Sequence, residues 1–329
     1  MDLLACPRDG TAIREAQGGL ACEHGHFYPV VLGTPVMLVP EERPNHWTIP
    51  NALKLAGSPA PETAVDPDVW TESDGINSFV QKWIVKSSGY LYRPLKGRLS
   101  QYPIPELRLP PGNGRTLVDV GCNWGRWTVA AARQGYRCIG VDPNLNAITA
   151  ARRVCAALGV TADFVVADAR HLPFRTASVD TVYSYSVLQH FSRNDALASL
   201  AEAGRILGGS GTCLVQMPNK FGLRCLYHQA RRGFAEGEKF EVRYWTIPAL
   251  KRAFTQTVGP PEVSVDGFLG LGIQARDAQL LPWFERTVVG ISERLRRASL
   301  LCPSLGWLAD SLFLQVRRTG HSRSSITAP

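Results

Sequence analysis

Between Thr116 and Met217 the chain alternates short apolar runs with helix-patterned segments, and acidic residues recur at the ends of the runs. The runs 116–120, 137–141, 163–167, 179–185 and 212–217 read as strands. Segments 127–134, 145–158 and 194–207 between them read as helices, the last stopping at Gly208-Gly209. Strands that alternate with helices build a parallel sheet covered on both faces. On such a sheet, ligands sit beyond the carboxyl ends of the strands, near the point where strand order reverses. Asp119, Asp142 and Asp168 lie in or just beyond three successive strands. That places three carboxylates along the edge where a ligand belongs.

The run Asp119-Val120-Gly121-Cys122-Asn123-Trp124-Gly125 turns the first of these strands into a helix. Glycine there supplies positive φ and removes a side chain that would keep a ligand from the backbone. Asn123 stands where another glycine is common, and asparagine tolerates the left-handed region. Such a loop suits any nucleotide-type cofactor, or a tight turn with no ligand at all. Asp142, about twenty residues further on, is placed to accept both hydroxyls of a ribose. A dinucleotide site offers the same acid. Asp168, suited to an exocyclic amine, and the lack of a Gly-x-Gly-x-x-Gly pattern separate the two.

In these motifs the chain resembles the class I S-adenosylmethionine (SAM)-dependent methyltransferases, in particular the group with Asp-x-Gly-Cys-x-x-Gly in its first motif. The resemblance covers residues 116–218 and implies an α/β, Rossmann-like fold with a seven-stranded, mostly parallel sheet and helices on both faces. Its last strand runs antiparallel, and 262–268 and 310–316 supply the remaining pair. The resemblance also implies where SAM sits. Asp119, Gly121, Cys122, Asn123, Gly125 and Arg126 cradle its methionine part. Asp142 holds the ribose, flanked by Pro143 and Asn144, and Asp168 with the Ala169 backbone holds the adenine. Ser184, Tyr185 and Ser186 border the sulfonium. His190, in Leu188-Gln189-His190-Phe191, is the candidate base, with a positioning or packing role as its alternative.

The first 44 residues carry a second pattern: Cys6-x2-Asp9, then Cys22-x3-His26. Four such donors suit tetrahedral zinc, with Asp9 standing where cysteine is usual. Together with Phe27-Tyr28-Pro29-Val30 and Gly33-Thr34-Pro35-Val36, this module resembles the zinc-ribbon-like domain of tRNA-methyltransferase activator proteins. The expected organisation is a ribbon-like module over 1–44, a linker and aromatic lid over 45–110, and a methyltransferase domain over 111–329. Insertions at 220–245 and 277–303 shape the acceptor pocket. Thr246 and Pro248 read as the start of a helix after the first insertion. In the second, Leu281, Phe284, Val288, Ile291 and Leu295 mark a helix face expected in the core or a homodimer contact. A membrane surface is its alternative partner.

Composition narrows the partners only a little. Hydrophobic residues make up 45% and charged residues 19%, an ordinary globular balance. The chain holds no apolar run of the roughly 18 residues that a membrane span needs, and its first residues lack a secretory pattern. The expected compartment is therefore the cytoplasm, where Cys138, Cys155 and Cys213 act as small buried hydrophobes. The expected acceptor is a small molecule or a lipid-like compound. RNA, ribosomal or transfer, is the alternative that the net charge of +8 favours. A SAM-binding scaffold without catalysis is the third reading.

Overall fold

Apolar runs that need cover on both faces can pair their backbone only inside a central sheet, and the computed structural model builds one. It describes residues 2–58, 72–73, 76–87, 92, 99–270 and 274–320. From the N-terminus, β1 (Ile13–Ala16), β2 (Gly19–Cys22), β3 (Phe27–Val31) and β4 (Thr34–Pro35) form a four-stranded antiparallel sheet. Helix α1 (Thr48–Ala56), the short pair β5 (Glu72–Ser73) and β6 (Ile76–Asn77), and α2 (Ser78–Ser87) follow. Strands and helices then alternate through β7 (Thr116–Val120), α3 (Arg126–Arg133), β8 (Arg137–Val141), α4 (Leu145–Ala157), β9 (Asp163–Val165) and β10 (Val179–Tyr185). The chain continues with α5 (Arg193–Ile206), β11 (Leu207–Pro218), α6 (Leu223–Arg231), α7 (Ile247–Thr257) and β12 (Glu262–Gly267). It closes with α8 (Trp283–Leu301) and β13 (Ser311–Arg317).

The seven-stranded sheet has the order β12-β13-β11-β10-β7-β8-β9. Neighbours from β11 to β9 run parallel, and β13 lies antiparallel between β11 and β12. Strand order reverses between β7 and β10, so the ends of those two strands frame the ligand crevice. Both faces are covered. Leu117, Tyr183 and Phe313 point into one core with α2, α3 and α4, while Val118, Val182 and Val215 point into the other with α5 and α7. Asn144, Ser192 and Thr246 cap α4, α5 and α7, each accepting a backbone N–H of the first turn.

The N-terminal module docks along the open β9 edge. Met37 N–H donates to the Val166 carbonyl (2.7 Å) and Val166 N–H donates to that of Pro35 (2.9 Å). Leu4, Leu20, Tyr28 and Met37 pack into the same core as Leu172 and Phe174. The docking covers a sheet edge that would otherwise expose unpaired backbone groups. It also explains why β9 ends at Val165, two residues short of the expectation: Val166 bridges to Val36 instead of continuing the strand.

Two other expectations shift. Trp70 and Tyr90 of the aromatic lid segment lie outside the described residues. Phe79 and Tyr92 belong to the core that also holds Trp124 and Trp127. The second insertion forms α8 as expected, and its expected face is covered only in part. Leu281 is buried and Leu295 packs on the cluster of Ile247, Phe268, Ala309 and Leu312, whereas Phe284 and Ile291 are exposed. Packing against β12, with Ser292 Oγ accepting the N–H of Phe268 (3.0 Å), fixes the helix rotation and turns Phe284 and Ile291 outward.

Candidate active site

The loop after β7 is built by backbone conformations that its sequence makes cheap. Gly121, Asn123 and Gly125 all take positive φ, at 79°, 48° and 81°. Space matters as well: a Cβ on Gly121 would meet Val187 at 2.2 Å, and one on Gly125 would meet Ala151 at 2.9 Å. The Asn123 side chain accepts the Trp124 N–H (2.8 Å), a local bond that helps an asparagine hold the left-handed region. Arg126 opens α3 and is buried, its guanidinium 5.3 Å from the Trp127 ring centroid. Cys122 is buried beneath the loop against Gly140.

The three carboxylates have different surroundings. Asp119 lies under the loop and accepts the Thr128 hydroxyl (2.7 Å), so it braces β7 against α3. Burial pushes its pKa up to about 7. Asp142, at the end of β8, accepts the N–H of Asn123 on one oxygen (3.0 Å) and that of Asn144 on the other (2.9 Å). Burial raises it to about 6. Each of its oxygens retains acceptor capacity after that single bond. Asp168 accepts the Arg170 backbone N–H (2.9 Å) and a two-pronged contact from the Arg170 guanidinium (2.7–3.2 Å). Arg170 also reaches Asp195 (3.0 Å) and the Arg43 carbonyl (2.8 Å), tying α5 and the end of the N-terminal module to this edge. Pro143 and Ala169 sit beside Asp142 and Asp168, Ala169 buried and Pro143 half-buried.

On the other side of the crevice, Ser184 donates to the Val120 carbonyl (2.9 Å) and locks the ends of β7 and β10 together. Ser186, at φ 58°, donates its N–H and its hydroxyl to Gln216 Oε1, both at 2.9 Å. Gln216 then donates to Ser311 (2.7 Å), Ser311 to Asp266 (2.7 Å), and Tyr185 to the same Asp266 oxygen (2.6 Å). Arg108 donates to the other Asp266 oxygen and to its carbonyl, each at 2.8 Å. Burial and the neighbouring Asp266 hold the Tyr185 hydroxyl well above its ordinary pKa, so it stays a donor. Trp127 and Phe313 flank the Tyr185 ring, at centroid distances of 4.6 and 5.9 Å.

His190 lies on the short 3-10 turn after β10. Its Nδ1 donates to the Phe240 carbonyl (2.7 Å), and its ring stacks on that of Phe240 at 4.0 Å. Burial lowers its pKa to about 4, so the ring is neutral at pH 7. Arg243 adds a bond from its N–H to the Gln189 carbonyl (2.7 Å) and one from its guanidinium to that of His190 (2.8 Å). The first insertion therefore wraps over the turn that follows β10.

In the N-terminal module, two knuckles bring four donors to one point. Gly10 N–H closes the first on the Cys6 carbonyl (2.8 Å), and Gly25 N–H closes the second on the Cys22 carbonyl (3.0 Å). Donor atoms of Cys6, Asp9, Cys22 and His26 lie within 4.8 Å of one another. Individual separations are 3.4 Å for each sulfur to His26 Nδ1, 3.2 Å for His26 to Asp9, and 3.9 Å for Cys22 to Asp9. Zinc bonds of about 2.0–2.3 Å set the edges of a tetrahedron at roughly 3.3–3.8 Å. These four separations, 3.2–3.9 Å, lie close to that spacing, and the whole donor set stays within 4.8 Å. Thr11 holds the other Asp9 oxygen through its hydroxyl (2.6 Å) and N–H (3.0 Å), and these bonds keep the Asp9 carboxyl well below the usual range.

Most residues singled out in the sequence thus gather at the carboxyl end of the sheet or in the two knuckles. Sequence reasoning missed Arg108, Arg170, Gln216, Asp266 and Ser311. Gln216 and Ser311 carried a signal, as polar residues inside apolar strands that a buried network alone explains. Arg108 and Asp266 carried none, because they meet only through the packing of distant segments.

The raised carboxyls make a pH prediction. Asp119 and Asp142 bind protons more tightly in the folded chain than at their ordinary 3.8. Between about pH 4 and 7 the folded state therefore holds more protons than the unfolded one, and stability falls as pH rises. Asp119→Asn keeps an acceptor for Thr128 and removes the buried charge. Its stability advantage in urea unfolding should grow from about pH 5 to about pH 8, to on the order of 2–4 kcal/mol. A gap that stays constant over that range contradicts the assignment.

Parts of the chain are similar to known proteins. Residues 117–211 match the family described as methyltransferase domain. An uncharacterized methyltransferase of Mycobacterium avium is 42% identical over 80 residues, which are 24% of this chain and 31% of that protein. An O-methyltransferase of Pyrenophora dematioidea is 33% identical over 103 residues, 30% of this chain and 38% of the relative. The matches thus span about a third of these curated relatives. Among solved structures, a SAM-dependent methyltransferase of Methanosarcina mazei aligns with a TM-score of 0.48 at 15% identity, covering 68% of this chain and all (100%) of the other. Residues 117–211 of this chain thus match a methyltransferase domain, over less than a third of its length.

Proposed function

We propose that the chain transfers the methyl group of SAM to a small-molecule or lipid-like acceptor. The observation that carries this reading is the pair of carboxylates, Asp142 and Asp168, at the ends of adjacent strands beside the open-backbone loop at the switch point. The donor chemistry fits an adenosyl ligand: Asp142 keeps acceptor capacity for ribose hydroxyls, and Asp168 and the Ala169 N–H face the adenine. Asp168, now held by Arg170, would be the group to accept the adenine amine. Gly121, Cys122, Asn123, Gly125 and Arg126 hold the methionine end, with Asp119 bracing them from below. Pro143 and Asn144 flank the ribose, and Ser184, Tyr185 and Ser186 line the acceptor side. SAM supplies an activated methyl group on a good leaving group, so the protein's main task is alignment of the acceptor.

That task falls to the wall of the crevice at Tyr185, whose ring packs on the core residues Trp127 and Phe313 and whose hydroxyl the Asp266 network fixes. Its aromatic character favours an acceptor with an apolar body over a polyanionic one. His190 acts as a positioning residue: with a pKa lowered to about 4 it is a poor match for base chemistry near neutral pH. Its Nδ1–H instead anchors the Phe240 segment. The same reading assigns zinc to Cys6, Asp9, Cys22 and His26, where it supplies a structural crosslink between the two knuckles.

Purified chain given methyl-labelled SAM and a cell extract should place label in organic-soluble or small-molecule fractions. Label confined to RNA contradicts the acceptor class. With an acceptor in hand, His190→Asn preserves the donor to Phe240 and should keep kcat within about threefold with an unchanged pH profile. His190→Ala should raise the acceptor KM more than it lowers kcat. Loss of 10²-fold or more in kcat by both variants, the size expected of general-base removal, identifies His190 as catalytic instead. For the metal, elemental analysis should find about one zinc per chain. Cys22→Ser should remove it and lower the thermal midpoint. Full zinc occupancy in Cys22→Ser, or none in the parent protein, contradicts the assignment.

A further inference from the structure

The acceptor end of the sheet carries a rim of side chains that the fold leaves uncovered. Asp310, just before β13, is buried and accepts the N–H of Cys225 on one oxygen (2.8 Å) and that of Leu269 on the other (2.7 Å). It thereby staples α6 and the turn after β12 to the start of β13. The neighbouring Asn219 side chain donates to the carbonyls of Trp307 (2.7 Å) and Ala309 (3.0 Å), so the turn after α8 joins the same cluster. Ser311, next along β13, belongs to the network that fixes Tyr185. The rim and the acceptor wall thus share one framework.

On this framework Phe221, Leu223 and Tyr227 stand exposed on one side, and Leu300, Leu301 and Trp307 on the other. Leu301 is 91% exposed and Leu300 70%, so both stand clear of the surface instead of lining a groove. Between residues 219 and 233, and again between 294 and 309, the chain has arginines and a lysine but no acidic residue. Among the described residues, no carboxylate lies within ion-pair distance of Lys220, Arg224, Arg231 or Arg294. Protruding apolar side chains among unpaired cations are the composition of an interfacial anchor: the apolar groups enter the acyl boundary and the cations stay with anionic headgroups.

We infer that this rim docks the protein on an anionic lipid surface and presents the acceptor side of the crevice to it. That the acceptor itself comes from the bilayer rests on the lipid-like reading above. Charge decides between a membrane and a second copy. A twofold contact would set the cations of one rim against those of the other, which is repulsive, whereas an anionic membrane complements them.

The test uses the full chain without SAM or acceptor, so its failure is separate from any failure of the methyl-transfer reading. Sedimentation is measured with phosphatidylcholine vesicles and with vesicles in which part of the lipid is phosphatidylglycerol. Binding to the anionic vesicles should exceed that to the neutral ones about tenfold or more. Leu300→Glu/Leu301→Glu and Arg224→Glu/Arg231→Glu lie on the surface, and each should lower anionic binding about tenfold or more with the thermal midpoint retained. Equal or absent binding to the two vesicle types overturns the inference, as does undiminished binding by both variants. A wild-type dimer that either variant turns into a monomer, without vesicle binding, shows that a second copy covers the rim.

Discussion

The carboxylate of Asp142 joins parts of the proposed cofactor crevice that lie far apart in sequence. One oxygen takes the N–H of Asn123 in the loop after β7, and the other takes that of Asn144 at the start of α4. Two positive-φ glycines and one asparagine give the loop its path, but that bond holds it against the end of the neighbouring strand. The arrangement has a cost. Asp119 and Asp142 are both buried, and each raises the price of ionising the site, visible in pKa values of about 7 and about 6. A ligand that donates hydroxyl hydrogens to Asp142 offsets part of that cost, since a hydrogen bond to the charged form favours it. Buried, perturbed carboxylates of this kind cluster where function requires polar groups in a dry setting.

The opposite wall of the crevice is organised around Asp266. One carboxylate, clamped by Arg108, receives Tyr185 and Ser311, and through Ser311 and Gln216 it reaches the backbone of Ser186. Arg108, Tyr185, Ser186, Gln216, Asp266 and Ser311 each have a partner here, which makes the network rigid instead of costly. The β12–β13 pair is therefore more than a closing edge of the sheet. It delivers Asp266 and Ser311 to the proposed acceptor side, and through Asp310 it carries α6 and the apolar, cationic rim.

Local pattern made the sheet, the loop, three carboxylates and the two knuckles readable before any coordinates. Strand and helix periods, positive-φ residues and short donor spacings are all encoded within a few neighbours. What stayed hidden depends on contacts between distant segments. Arg108 meets Asp266 across 158 positions, and Arg170 turns back on Asp168 because Arg43 and Asp195 offer it further partners. That Phe284 and Ile291 of α8 face outward depends on such a contact too. Apolar residues fall on more than one of its faces, and only the contact with β12 decides which face is covered. The short β9 likewise reflects a tertiary event, the docking of Val36 and Met37 on its edge.

Calorimetric titration with S-adenosylhomocysteine, compared between the parent protein and Asp142→Ala, tests the cofactor assignment most directly. The parent protein should bind in the micromolar range, and the substitution should weaken binding about 100-fold or more, the loss expected when a buried acceptor of two hydroxyls is removed. Absence of binding by folded parent protein, or equal affinity in Asp142→Ala, contradicts a cofactor site built on this carboxylate.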